Sequence, residues 1–327
     1  MSEYKIIKFT QLTPLHVGTG KEDYDSSAGM LQSDTLSAAL AAIRSQMGKT
    51  DDVIDFMQSF TISSAFPYWN ELYFLPAMKG ELKVAVKGKE EYEYRKWLKR
   101  IKFIEIGLWK ELVSGKSIIV EQEQLQEEFL ISKISFGKVM KNQVSQRVNI
   151  PRTDGKENKL FSFDWQFFDK KAGLYCLIDA DNKVFAEVME LFKLLGETGL
   201  GTDKNVGGGK FVPESGTIQI SEIPDANATL LLSLFLPVES ELPQLQLDDA
   251  VFELVLRGGY LAGSTEEDFR HLRKKSVYMF NVGSYFRTTE KISGKIVDLS
   301  PKWNDERMHP VYRSGKPFCV NIKIPTL

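Results

Sequence analysis

Residues 173–213 constrain the fold more than any other segment, because they read in succession as strand, helix, glycine-rich loop and strand. GLYCLI at 173–178 is a continuous apolar run between Gly173 and Asp179, the pattern of a strand covered on both sides. Asp181 and Asn182 can cap the helix that follows, whose apolar stripe is Val184, Val188, Leu191, Phe192 and Leu195, and Gly196 reads as its left-handed stop. The loop GETGLGTDKNVGGGKF (196–211) then leads to a strand ending near Pro213. This loop is not a Walker A motif, since no GK[ST] closes it. It is not a dinucleotide fingerprint either, since it follows a helix and precedes a strand. Gly199, Gly201, Gly207, Gly208 and Gly209 permit close backbone approach, and Lys204 and Lys210 supply charge, which suits a phosphate backbone. A flexible helix-to-strand connection fits equally well.

The N-terminal segment supplies the partner elements for such a unit. YKIIKFTQL (4–12) reads as an opening strand halted at Pro14, and His16, Gly18 and Gly20 follow in a loop. Ser33 can accept from the free amides of a helix start and Asp34 complements its dipole. Leu36, Ala39, Leu40, Ile43 and Met47 then recur at helical spacing, so this helix should lie on a sheet. A short helix near 51–58 leads into SSAFPYWNELYFLP, a hairpin bracketed by Pro67 and Pro76. Nine Lys or Arg against four Glu in 79–102 suggest a solvated helix. In 131–160 the seven basic residues Lys133, Lys138, Lys141, Arg147, Arg152, Lys156 and Lys159 face only Asp154 and Glu157. With little apolar periodicity, this stretch reads as a long projecting hairpin or loop.

After PDANA (224–228), the best domain boundary, the pattern restarts and is β-rich. Strands are expected at 230–236, 251–256, 276–286, 294–299 and 318–324, with a short helix at 265–275. Length agrees with two domains, since 327 residues at about 150 per domain gives roughly two.

The 42 basic and 44 acidic residues give a net charge of -2, so no global field favours a polyanionic partner and any nucleic-acid site must be local. Two cysteines exclude a disulfide framework or a Cys-based metal site, and the three scattered histidines form no metal motif, so no metal or cofactor is expected. The start MSEYKIIKFT lacks the pattern of a signal peptide, and the longest apolar run, 230–237, is too short to cross a bilayer. A cytoplasmic protein with no membrane association is the expectation. His16, in a glycine-bearing loop after a strand, could act as a general base, contact phosphate, or simply bond to backbone. In HLRKKSVYMFNVGSYF (271–286), Arg273, Lys274 and Lys275 precede Tyr278, Phe280, Tyr285 and Phe286, with Gly283 and Ser284 between the aromatic pairs. Cations beside exposed aromatics can hold single-stranded nucleic acid, while most of these aromatics are expected in the core.

Taken in order, LHVGTG, SDTLSAAL, SSAFPYWNELYFLP, GETGLGTDKNVGGGKF, RKKSVYMFNVGSYF and HPVYRSGKPF resemble one family along the whole chain. It is the RAMP-superfamily subunit of type III CRISPR effector complexes that is named fourth among the Csm subunits. The resemblance implies an α+β fold of two ferredoxin-like, RRM-related domains, here 1–223 and 224–327. A thumb-like β-hairpin would be inserted in the first near 120–165. It implies a non-catalytic subunit of a hetero-oligomeric antiviral ribonucleoprotein that binds the repeat-derived 5′ handle of the crRNA. Its protein partners would be the large polymerase-palm subunit and the backbone RAMP subunit. The residues carried over are His16, Gly18, Ser33, Asp34, the loop Gly199 to Gly209, Arg273, Lys275, Gly283 and Ser284. The basic residues Lys133, Lys138, Lys141, Arg147, Arg152, Lys204, Lys210 and Lys274, with Tyr278, complete the expected RNA-binding set. The competing reading from the same superfamily is a precursor-processing endoribonuclease using His16.

Overall fold

The computed structural model describes residues 2–18, 27–133, 137–150, 158–261, 267–269, 272–302, 305 and 307–325. Its frame is a nine-stranded sheet. The opening strand Ser2–Thr10 lies in the middle of one half, antiparallel to both Ala172–Asp179 and Val212–Ile220. Ala172–Asp179 pairs on its other side with Thr61–Ile62 and Phe66–Trp69. The spatial order of this half is therefore last, first, third, second in the chain. The two helices Ser33–Gln46 and Asn182–Thr198 connect first to second and third to last.

Burial on both faces explains why Ala172–Asp179 is apolar rather than alternating, whereas Val212–Ile220 at the sheet edge carries exposed polar residues. Ile7, Phe9, Cys176 and Ile178 face the helices, whose Leu36, Leu40, Val188, Leu191 and Phe192 complete that core. Ile6, Tyr175, Leu177, Ile218 and Ile220 face the other way and pack with Leu230, Leu232, Val320 and Ile322 from the C-terminal part. Each fully buried leucine or isoleucine contributes about 2 kcal/mol of transfer free energy. The two halves of the chain thus share one core across the sheet.

The helix Asn182–Thr198 starts as expected, with the Asp181 carboxylate accepting from Val184 N at 2.8 Å. It ends three residues later than the Gly196 signal, at Gly199 with φ 86°. Gly196 stays helical and buried because the Phe211 backbone crosses it, Phe211 N donating to Gly196 O at 3.2 Å. The helix Ser33–Gln46 also corrects the reading of its start. Gln32 is the N-cap residue, and Ser33 makes no cap bond but accepts from Leu234 N at 3.0 Å.

Between second and third strands the chain makes a long excursion. The hairpin turns at Asn70 (φ 51°), places Trp69 opposite Leu72, and passes through Leu72–Pro76 to Phe103–Glu105, extending the sheet. Helix Ile106–Val113 locks onto this edge through Trp109, whose indole donates to Pro76 O at 2.9 Å. Only Glu91–Leu98 of the basic 79–102 stretch is helical, because Val84 and Val86 are buried in a short strand parallel to Ile118–Val120. Next come Met140–Asn149 and Lys159–Phe168, ten residues each, paired from Met140↔Phe168 to Asn149↔Lys159. They form the long hairpin expected from the 131–160 composition. Arg152, Asp154, Lys156 and Glu157 lie outside the described residues.

In the C-terminal part, Ala228–Leu231 runs between Tyr285–Phe286 and Cys319–Ile322. The expected strand 230–236 stops at Leu231. Beyond it the chain rises to other partners, Leu234 N reaching Ser33 Oγ and Leu236 N reaching Gly315 O at 2.9 Å. Two hairpins complete this part, Leu254–Arg257 with Val277–Phe280 and Ile296–Asp298 with Tyr312–Ser314. Of the expected helix 265–275, Glu267–Phe269 forms one 3-10 turn and Arg273 is bridged to Tyr260 instead, while His271 lies outside the described residues. Among the described residues no helix is long and apolar enough to cross a membrane.

Candidate nucleic-acid interface

Three segments far apart in sequence meet at one end of the sheet: the loop 13–18, the base of the long hairpin, and the glycine-rich loop. Thr13 N donates to Lys210 O at 2.9 Å and Thr13 Oγ1 to Gly207 O at 2.8 Å, while Lys210 N donates back to Thr13 Oγ1 at 2.7 Å. Gly209 N bonds to Pro14 O at 2.9 Å and Thr202 N to His16 O at 3.0 Å. Leu15 and Gln166 exchange both backbone bonds at 2.9 Å, which joins the first loop to the hairpin.

His16 is 1% exposed, with its ring 4.5 Å from that of Phe163 and Nδ1 2.7 Å from Asp164 O. A carbonyl only accepts, so Nδ1 carries the proton in this bond. Arg147 stacks over Phe163 at 4.3 Å and Trp165 at 5.3 Å and pairs with Asp203 of the glycine-rich loop, clamping hairpin to loop.

These contacts reassign the glycines. Gly199, Gly201, Gly207 and Gly209 all take positive φ, but the loop's role is mainly close approach. A Cβ on Gly201 would lie 2.2 Å from His16 O, and one on Gly209 would lie 2.0 Å from Leu200 O. The Trp165 ring fills the space beside Gly208. The amides of Thr202, Gly209 and Lys210 are spent on loop 13–18, and those of Leu200, Val206, Gly207, Gly208 and Phe211 on carbonyls within the loop itself, so the loop does not offer a bare cradle of N–H groups. What it presents to solvent is Lys204, Asn205, Val206 and Lys210 on a single 3-10 turn and its exit. Gly18 is exposed next to this rim, facing Thr202.

The hairpin adds a feature that the basic composition hid. Val148 lies opposite Leu160 and four residues from Val144, so the three share a face. They are 47%, 75% and 57% exposed, respectively. The signal was present as apolar residues at even spacing in Asn142-Gln143-Val144-Ser145-Gln146-Arg147-Val148. Lys133, Lys138 and Lys141 are exposed at the hairpin's root, Lys138 paired with Glu127 at 3.0 Å.

The remaining expected residues lie elsewhere, on the contact between the helix Ser33–Gln46 and the C-terminal part and along the ladder that follows it. Asp34, 1% exposed at the start of helix Ser33–Gln46, accepts from Arg257 at 2.9 and 3.0 Å, and Arg313 Nε stands at 3.9 Å. Burial acts to raise the Asp34 carboxyl, but Arg257 and Arg313 outweigh it and hold it below the ordinary aspartate value. Neither arginine was legible as a site residue, since nothing local to LVLR or VYRSG marks a partner some 200 residues or more away. Ser33 and Asp34 are therefore engaged with the C-terminal part and turned away from solvent. Gly283 and Ser284 are likewise structural in their contacts: Gly283 O accepts from Lys79 N at 2.8 Å, and Ser284 Oγ accepts from Glu253 N at 3.2 Å. Arg273 stacks on Tyr260 at 4.8 Å and bonds to its hydroxyl at 3.0 Å. Lys275 is exposed, and Tyr278 is 60% exposed while Phe280 and Phe286 are buried as expected of core aromatics. Arg152 lies outside the described residues. Among the described residues no group of His, Cys, Asp or Glu is arranged to hold a metal.

Residues 224–322 match the family model of the CRISPR Csm4 C-terminal domain. A curated relative, a CRISPR Csm4 protein from Thermococcus onnurineus (strain NA1), is 22% identical over 295 residues, 88% of each chain. Among solved structures, a Csm1–Csm4 cassette in complex with cA4 matches with TM-score 0.63 and 18% identity over 99% of this chain and 100% of the other. A Csm3–Csm4 subcomplex of a type III-A interference complex matches with TM-score 0.60 and 17% identity over 98% and 99%. These structures share the mixed α+β fold from end to end.

Proposed function

We propose that this chain, whose residues 224–322 match the Csm4 C-terminal domain and which is 22% identical to a curated Csm4 relative, is a non-catalytic subunit of a type III CRISPR effector complex. It holds the repeat-derived 5′ handle of the crRNA and links the large polymerase-palm subunit to the backbone RAMP subunit. The observation that carries this reading is the convergence of loop 13–18, the long hairpin and the glycine-rich loop into one rim whose exposed groups are cations and apolar side chains. Single-stranded RNA is held by such a combination, phosphates on the cations and bases against the apolar surface. The exposed face of Val144, Val148 and Leu160 suits insertion between bases. The two related structures, a Csm1–Csm4 cassette and a Csm3–Csm4 subcomplex, support the protein partners.

The fold supports the same assignment. Strand order last, first, third, second with two helices on one face supports reading residues 1–223 as a ferredoxin-like domain with a thumb-like hairpin inserted near 120–165, and 224–327 as the second domain. Cutting by His16 is disfavoured by its burial and its bond to Asp164 O, which leave no path to a scissile phosphate. The purified chain should leave a repeat-containing RNA intact, and His16→Ala should not change that. Site-specific cleavage by the wild type that the variant loses would establish the enzyme instead.

The direct test is photocrosslinking in a complex reconstituted with its two neighbouring subunits. Handle nucleotides should crosslink to 196–211 and to the hairpin, and a handle that crosslinks to neither excludes this function. Lys204→Ala with Lys210→Ala should lower the slope of log affinity against log salt by about 1.4, the value for two phosphates on single-stranded RNA.

A further inference from the structure

We propose that the junction between helix Ser33–Gln46 and the two C-terminal hairpins is an oxyanion subsite, built by Arg257, Lys274 and Arg313, that takes one backbone phosphate of single-stranded RNA. The inference deepens the function proposed above and rests on it. Three cations from three segments gather there about one carboxylate, that of Asp34. Arg257 uses Nε and Nη2 on the two Asp34 oxygens at 3.0 and 2.9 Å. Arg313 reaches Asp34 O at 3.4 Å, so both its contacts are long. No ion pair within 4 Å involves Lys274 among the described residues. With all three cations charged, the cluster carries two more positive charges than negative ones. The positive end of the helix dipole adds to the excess.

Excess charge of one sign in a half-buried site is unfavourable until an anion arrives. The arginine side chains are 23% and 17% exposed, so the cluster can be reached from solvent. Two guanidiniums and an ammonium match the several oxygens of a phosphate better than a single carboxylate, whose place Asp34 already fills. Tyr278, 60% exposed, pairs with Leu256 and so lies on the face of this ladder opposite Arg257. The choice of RNA over an acidic peptide rests on the match of three cations to the several oxygens of one phosphate, with Arg273 and Lys275 flanking Lys274 in sequence.

The charges that face Lys274 are Asp34 from the helix and Arg313 and Arg257 from the hairpins. Burial, then Arg313 and Arg257, push its ammonium down to about 7, only partly offset by Asp34. Phosphate bound there would restore the proton, so binding takes up a proton near neutrality. For a group at about 7 that is fully charged in the complex, affinity falls about tenfold from pH 6 to pH 8.

The test measures anisotropy of a labelled short single-stranded oligoribonucleotide with the full-length chain, across pH 6–8 and a salt series. The wild type should show the tenfold loss. Lys274→Met, which removes no hydrogen bond, should bind weakly with a flat profile and a salt slope lower by about 0.7. Lys274→Arg should bind well and also lose the pH dependence. A Lys274→Met profile and slope identical to wild type overturn the subsite while leaving RNA binding in place. Wild type that binds no RNA, here or in the reconstituted complex, overturns the underlying function, and stronger capture of polyglutamate than of RNA assigns the cluster to a protein carboxylate and overturns this proposal.

Discussion

Asp34→Ala should cost about 3–5 kcal/mol of stability, the largest loss expected from any single side chain outside the apolar core, measured as a lowered urea midpoint. The reason is electrostatic. Asp34 is 1% exposed and is the only carboxylate that Arg257 and Arg313 contact among the described residues. Removing it leaves two guanidiniums and Lys274 facing one another with no counter-charge. The damage should not stay local. Arg257 and Arg313 belong to different hairpins of the C-terminal part, while Asp34 belongs to the N-terminal helix, so the variant should loosen the seam between the halves. Asp34→Asn, which keeps volume and one acceptor, should lose less. The pH dependence has a definite sign. Because the folded carboxyl is held below its ordinary value, its stabilisation is present above the unfolded aspartate value near about 3.9 and is lost as pH falls through the lower, folded one. The wild type should therefore gain nothing from Asp34 on moving from pH 5 to pH 7. A variant with an unchanged midpoint would show that the cluster is already neutralised in another way.

What could be read from the chain in advance divides along physical lines. Features fixed by local pattern were legible: the fully apolar strand at 173–178, the Asp181 cap, the hairpin around Asn70, the long hairpin behind seven basic residues. Signals with two physical meanings were misread in detail. Ser33 and Asp34 look like a helix start, since a hydroxyl and a carboxylate there normally serve the free amides. Here both are used on the C-terminal part of the chain, on Leu234 N and Arg257. Gly196 looks like a stop because glycine ends helices, but it serves a close crossing by Phe211, and the stop falls to Gly199. Arg257 and Arg313 could not be found at all. Their significance arises only when strands distant in sequence are brought to one carboxylate.

The second large effect is expected at Gly209, and it separates a structural glycine from one that is free to change. An alanine there would put its Cβ 2.0 Å from Leu200 O, at a φ of 66° that side chains rarely adopt. Leu200 cannot give way cheaply, because its own N–H bonds to Gly209 O at 2.9 Å, and Gly209 in turn cannot, because its N–H is tied to Pro14 O at 2.9 Å. Relief requires the loop to unzip from 13–18. Left-handed strain of about 1 kcal/mol and overpacking of about 1–3 kcal/mol then add to the lost bonds, for a total near about 3 kcal/mol. Gly207 is the control: its φ is 88°, but no atom lies within 4 Å of the added Cβ, so Gly207→Ala should cost about 1 kcal/mol of backbone strain alone. If the junction of the three segments forms the RNA-holding rim, Gly209→Ala should release the handle from the reconstituted complex at lower salt, whereas Gly207→Ala should retain it. Equal retention by both variants, with the expected gap in stability, would detach RNA binding from the geometry of this loop and move it to the hairpin and the Lys274 cluster.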